Sequence, residues 1–343
     1  MIFLNERQYK ANLHAHSTLS DGRKTPAELK ELYKSRGYSV LAITDHERPH
    51  DHTAMTDPDF LLLTGYEVYI RPDPDGRYNR FAPEVHLNLL AKDPHNTDLI
   101  CPHRPYIKYV PADEFPLLHT CGPDTPRAYT TEYINRFIRI AKEDGYLVTY
   151  NHPVWSMEDP ERILSYEGIF SMEMSNFTSQ TVGLPEYNGA LYDWLLVKGK
   201  RLYTHAADDN HNAHPLDGPR CDSFGGMTYL CTEDGELSYG GIIRALETGS
   251  FYASSGPQIL SLETDEAGTQ VTVRTSPASS VVLMTGSKTP VLALPETPGG
   301  CVTEAVFPIH PAAPYFRVHV NGKDGGYADS RGYFRDEWAP AAE

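Results

Sequence analysis

Apolar runs of strand length recur between Ser39 and His211, and most of them stop at histidine, aspartate or glutamate. Ser39-Val40-Leu41-Ala42-Ile43-Thr44 runs into Asp45-His46, and Phe60-Leu61-Leu62-Leu63 leads through a Gly65 turn to Glu67. Val85 to Leu90 alternates so that His86 and Asn88 share a face. Tyr146-Leu147-Val148-Thr149-Tyr150 ends in Asn151-His152-Pro153, Gly168-Ile169-Phe170-Ser171-Met172 leads to Glu173, and Arg201-Leu202-Tyr203-Thr204-His205 leads to Asp208-Asp209-Asn210-His211. Helical segments separate several of these runs. Thr25-Pro26-Ala27-Glu28 has the form of a helix start, with Thr as N-cap, Pro in the first turn and Glu three residues on. Tyr133, Ile134, Phe137, Ile138 and Ala141 make one stripe of a helix from about Thr131 to Asp144, and a further helix covers Tyr187–Lys198 and closes at Gly199. Alternation of this kind predicts an α/β fold with a parallel sheet or barrel, and such folds place their chemistry beyond the carboxyl ends of the strands.

The pattern changes after a helix over Tyr239–Thr248. From about Pro257, short alternating runs such as Val271-Thr272-Val273-Arg274, Val281-Val282-Leu283-Met284 and Tyr315–Val320 are separated by Gly and Pro turns. They predict an antiparallel β appendage, a small sandwich. The expected division is residues 1–256, with a Pro- and Asp-rich insertion at about 71–129 over one end of the fold, and residues 257–343.

Charge narrows the partners. A formal net charge of −16 over 343 residues argues against binding a nucleic-acid duplex, which needs a basic stripe. It does not argue against a small anionic substrate, because bound divalent cations invert the local field. The five cysteines are scattered without a C-x-x-C pair and read as reduced thiols. The first residues have no apolar stretch of signal-peptide length and no segment approaches a membrane span, so a soluble cytoplasmic protein is expected. Oligomeric state is not legible.

Near the amino terminus stands His14-x-His16, two imidazoles on one face of an extended strand, followed by Ser20-Asp21-Gly22. Alone, the pair is a weak sign of metal binding. In order along the chain, His14-x-His16, Asp21, Thr44-Asp45-His46, Gly65-Tyr66-Glu67, Asn151-His152-Pro153 and Asp209-x-His211 resemble the successive motifs of the PHP (polymerase and histidinol phosphatase) family. The resemblance covers about residues 8–255. The segment Ala245–Pro257 and the β appendage resemble the branch that includes carbaryl-hydrolase-like proteins.

The resemblance implies a distorted (β/α)7 barrel and two to three divalent metal ions, Zn, Mn or Fe. It implies a first ion on His14, His16, Glu67 and Asp209, a second sharing Glu67 and adding His86 and His152, and a third on Asp21, His46 and His211. Mixed imidazole and carboxylate donors suit those metals. His86 competes for its place with His95, His103 and His119. Asp45, Asp208, Glu173 and Asn176 are expected behind the ligands, whereas His50 and His52 are expected in a solvated loop. His205, His214, His310 and His319 are assigned to packing or surface roles. Arg48, Arg104, Arg127 and Arg220 are candidates to clamp a phosphate.

The expected activity is a metal-dependent phosphoesterase acting on a small phosphorylated metabolite, either a phosphomonoester or a cyclic or nucleotide-type diester. The implied mechanism is attack by a metal-bridging hydroxide, with Glu67, Asp209 and His211 as the catalytic candidates and His211 a candidate to assist the leaving group. Two alternatives stand beside it: a carbamate or carboxyl-ester hydrolase on the same metal centre, and a non-catalytic metal-binding module.

Overall fold

The protein is described by a computed structural model over residues 1–339. Its architecture is mixed α/β, organised around one large sheet. We label the principal elements β1 (Gln8–Asn12), α1 (Pro26–Lys34), β2 (Val40–Ile43), β3 (Leu61–Ile70), β4 (Val85–Ala91), α2 (Thr131–Glu143), β5 (Tyr146–Tyr150), β6 (Ser171–Asn176), α3 (Gly189–Val197) and β7 (Tyr203–Ala207). Those after them are β8 (Met227–Cys231), α4 (Tyr239–Thr248), β9 (Phe251–Ser254), β10 (Ile259–Thr264), β11 (Gln270–Met284), β12 (Val302–Pro308), β13 (Tyr315–Gly322) and β14 (Tyr327–Ser330).

The helices form where capping and periodicity place them. Thr25 accepts the Glu28 N–H, and the Glu28 carboxylate accepts the Thr25 N–H at 2.8 Å, which closes a capping box on α1. Helix α2 buries Tyr133, Ile134, Phe137, Ile138 and Ala141 in one cluster with residues of β4 and β5.

The sheet is not parallel throughout. Strands β1, β2 and β3 run parallel, as do β5, β6 and β7, but β4 is antiparallel to both β3 and β5. The β3–β4 pair is a hairpin, and hairpins are antiparallel by construction. A single bridge, Ala15 to Asn210, joins the chain just beyond β1 to the chain just beyond β7.

Gly65 is not a turn. Strand β3 continues straight through it to Ile70, and a Cβ at this position would stand 2.6 Å from the Leu89 carbonyl oxygen. The glycine permits close approach of β4, so Glu67 pairs with Asn88 and Tyr69 with His86 on one face of the sheet.

Beyond Ser254 the described chain is β-structure apart from the short helix Arg335–Trp338. The runs around Val271–Arg274 and Val281–Met284 are not two strands separated by a turn. They belong to β11, which passes through Pro277 with a register shift against β12 between Arg274 and Ala278 and exchanges partners there, from β10 to β13. A proline lacks the N–H that a ladder needs, and a register break accommodates it.

These strands are tied to the rest. The Arg317 guanidinium on β13 donates to both oxygens of Asp193 on α3 at 2.6 and 2.7 Å, and to Asp329 on β14 at 2.6 Å. His319 Nδ1 lies 2.8 Å from the same Asp329 oxygen. Burial opposes protonation of His319, but the bond to Asp329 outweighs it and holds the imidazole above its ordinary 6.5. A raised folded value means stability that is complete below 6.5 and lost as pH rises through the folded value. The melting temperature should therefore fall over that interval in the wild type, and His319→Gln should flatten this part of the profile. Equal profiles would remove His319 from the clamp.

Among the described residues, no helix is long and apolar enough to cross a membrane. The five cysteines are free thiols.

Candidate metal centre

All nine residues singled out as ligands in the sequence come together, in three adjoining groups. One holds His16, Asp21, His46 and His211, another His14, His16 and Asp209, and the last Glu67, His86 and His152, with donor atoms in each group within 4.8 Å of one another. His14 and His16 follow β1, His46 follows β2, His152 follows β5, and Asp209 and His211 follow β7. Glu67 and His86 instead lie inside their strands, brought to the same face by the β3–β4 register.

Glu67 lies between the groups. One of its oxygens is 3.0 Å from His86 Nδ1 and 3.4 Å from both His14 Nε2 and His152 Nε2. The other is 2.9 Å from His46 Nδ1 and 3.5 Å from His16 Nε2. Asp209 Oδ1 is 2.9 Å from His16 Nε2 and 3.1 Å from His14 Nε2. His16 faces both Asp209 and, through Nδ1 at 3.8 Å, Asp21, so it borders two groups rather than one.

These atoms crowd without satisfying each other. His14 Nε2 and His16 Nε2 face one another at 3.2 Å. His16 Nδ1, His46 Nδ1, His86 Nε2 and Asp209 Oδ1 are buried with no partner in hydrogen-bond geometry among the described residues. Buried polar atoms are almost always paired, and convergent unpaired nitrogen and oxygen donors are what a divalent cation requires. The residues present fit such ions.

The protonation pattern agrees. Burial, followed by the neighbouring His211 and His46, pushes His16 down to about 4, which leaves a neutral imidazole with a lone pair to give. Burial would raise Glu67, but the charges of His14, His86 and His46 outweigh it and hold the carboxyl well below its ordinary range.

A layer of bonds aims the donors. Glu173 accepts from His14 Nδ1 at 2.8 Å and from the His152 N–H at 2.7 Å, which turns His14 Nε2 inward. Asn176 donates to both Glu173 and Asp209. His211 Nδ1 lies 2.9 Å from the Asp209 carbonyl oxygen and leaves Nε2 facing Asp21 at 3.4 Å. Asp45 accepts the Ser17 N–H and the hydroxyls of Ser17 and Ser20, and Asp208 accepts the N–H groups of Phe224, Gly225 and Gly226. Both carboxylates hold backbone. Backbone strain collects here too: Glu47, His152 and Asp209 have φ of 50°, 27° and 55°.

The rivals for the His86 position lie elsewhere. His95 pairs with Asp51, His103 faces Asp124, and His119 is exposed. His50 and His52 face each other with ring centroids 4.7 Å apart, outside the three groups; His50 is exposed as expected, but His52 is buried rather than solvated. His205 is buried against the Ser171 hydroxyl.

The groups open on a cavity of about 330 Å³, the size of a small-molecule site. None of Arg48, Arg104, Arg127 or Arg220 lines it. Arg127 is buried, with both terminal nitrogens on the Glu47 carboxylate. Arg48 and Arg104 donate to loop carbonyls. The cations at the cavity are Arg71 and Lys108, with Tyr69, Tyr109 and Trp155 as its aromatic walls. Spacing in the chain gives no hint of Arg71, Lys108 or Tyr109, because they belong to the aperiodic segment after β3. The tyrosine at 69 could have been found from its place two residues after Glu67 on one strand face.

No protein-family model matches the chain, and no curated protein does. Among solved structures it is similar to a two-domain protein from Bacteroides vulgatus ATCC 8482 that contains a PHP-like metal-dependent phosphoesterase assigned by prediction. The identity there is 17%, the TM-score is 0.44, and 95% of each chain is covered. A protein from Bifidobacterium adolescentis ATCC 15703, provisionally named a metal-dependent phosphoesterase, matches at 16% identity and TM-score 0.38 over 61% of this chain and 90% of that one. An amidohydrolase from Chromobacterium violaceum, with bound sulfate and no metal, matches at 17% identity and TM-score 0.38 over 59% of this chain and 87% of that one.

Proposed function

We propose that the protein is a metal-dependent phosphoesterase that hydrolyses a small phosphorylated metabolite. The observation that carries this reading is Glu67, buried between three adjoining donor groups that open on a cavity with two cations at its wall. The strand order β7-β6-β5-β4-β3-β2-β1, with the Ala15–Asn210 bridge across its ends, supports reading this part as a distorted (β/α)7 barrel. The strands after Pro257 we read as its β appendage.

His14, His16, Asp209 and Glu67 would hold one cation, Glu67, His86 and His152 a second, and Asp21, His46 and His211 a third. Bound there, divalent cations supply Lewis-acid charge for the phosphoryl oxygens and acidify a water to near-neutral pKa. The chain's own residues do the rest. Glu67 and Asp209 place negative charge between imidazoles, and Glu173 and the Asp209 carbonyl fix which nitrogens of His14 and His211 face inward. His211 has only Nε2 free for the cavity, and one nitrogen cannot both hold a cation and carry a proton. As a ligand, His211 would leave the proton for the leaving oxygen to come from water.

Protein purified without chelator should contain two to three equivalents of metal. The group formed by Asp21, His46 and His211 is half-exposed while the others are buried, so chelator should remove one equivalent ahead of the rest. Phosphate release should be measured across phosphorylated metabolites with Mn and Zn. Turnover of carbamates or carboxyl esters with no phosphate released from any of them would replace this reading with the rival hydrolase. A single equivalent or none would remove the multinuclear centre.

A further inference from the structure

We infer that Arg71 and Lys108 form a second anion subsite at the cavity, so that the substrate carries a negatively charged group, carboxylate or phosphate, besides the one held at the metal centre. Two cations converge on one neutral oxygen: Arg71 Nη1 and Lys108 Nζ donate to the Gly76 carbonyl at 3.0 and 3.2 Å. Both also stand by the Tyr69 ring, at 4.2 and 5.6 Å from its centroid. Arg71 Nε is taken by Glu84, but Lys108 has no carboxylate within ion-pair distance among the described residues. Like charges held this close repel unless an anion lies between them, and partial desolvation of the ammonium together with the Arg71 charge does lower Lys108, although most of its side chain stays in solvent. Guanidinium and ammonium side by side suit a carboxylate or phosphate oxygen.

The subsite belongs to the same cavity as the donor groups. The Tyr69 ring separates them, with its centroid 5.7 Å from His86 and 6.0 Å from His46. A substrate would therefore span this ring, one anion on each side, with Trp155 and Val182 offering apolar contact to what joins them. The inference rests on the proposed function only for the position of the first anion.

Three non-hydrolysable probes test it by calorimetry on the Mn-loaded protein: phenylphosphonate, 4-phosphonobenzoate and benzene-1,4-diphosphonate. A charge-assisted contact predicts that the doubly anionic probes bind about tenfold or more tightly than phenylphosphonate. Whichever of the two binds more tightly identifies the second group as carboxylate or phosphate. Lys108 is exposed and its replacement should not disturb folding. Lys108→Met should erase most of that advantage, and Lys108→Arg should keep it. Equal binding of the three probes by the wild type, or an advantage untouched by Lys108→Met, overturns the subsite. If the advantage is present but no phosphate ester is ever hydrolysed, the subsite stands and the phosphoesterase reading falls.

Discussion

Asp209→Asn is expected to abolish hydrolysis and strip bound metal while the protein stays folded. The carboxylate faces two imidazole nitrogens at 2.9 and 3.1 Å through one oxygen and accepts from Asn176 through the other. An amide of the same shape keeps that second bond but loses the charge that draws a cation between His14 and His16. Asparagine also tolerates the left-handed backbone at this position, where φ is 55°, better than alanine does. Activity should fall by at least about 10²–10³-fold, the usual cost of removing one pre-aimed electrostatic group. Metal analysis and a thermal melt on the same sample separate the outcomes. Full metal content in the variant would take Asp209 out of the centre, and an unfolded variant would make its role structural.

The largest stability effect should come from Arg127→Met. Arg127 and Glu47 are both fully buried, and the guanidinium meets both carboxylate oxygens. Removing one partner leaves an uncompensated charge in the interior, which costs about 3–5 kcal/mol. A double variant, Arg127→Met with Glu47→Gln, should recover much of that loss, because the penalty belongs to the unpaired carboxylate. Denaturant unfolding of the two variants measures the coupling. Metal binding should respond as well. Glu47 follows His46, donates its N–H to the Glu67 carbonyl at 2.8 Å and accepts the Tyr69 N–H. A disturbed Glu47 thus displaces His46, and the outermost metal should be the one weakened. A single variant as stable as the wild type would contradict this account.

The candidate ligands were legible because most of them sit at or near the end of an apolar run and fall in a recognisable order, and short-range patterns carry that information. His86 was legible as one residue on a polar strand face, although its competitors could only be dismissed by distance. What supports the ligands was less so. Glu173 stands at the end of its own run and was expected behind the ligands. Glu47 and Arg127, by contrast, form an ion pair across the whole insertion, and no local pattern links them. Arg127 consequently looked like a free cation for substrate, whereas Arg71 and Lys108 went unmarked in a segment without periodicity. Gly65 misled for a related reason. Glycine marks turns and close approaches alike, and only the position of Leu89 distinguishes them. The hairpin reversal of β4 and the continuity of β11 through Pro277 depend on partner strands distant in the chain.

The Ala15–Asn210 bridge has a consequence for how the protein is made. The His16 N–H donates to the Asn210 carbonyl at 3.0 Å, and the Asp209 N–H donates to the His14 carbonyl at 2.9 Å. His14 and His16 therefore leave the ribosome long before the residues that complete their surroundings. Contacts of such sequence separation form late and slowly. The crowding of His16 against His46 and His211 is accordingly met near the end of folding, where a bound cation would relieve it. A cation held there would then act as a clasp between two stretches of chain nearly two hundred residues apart.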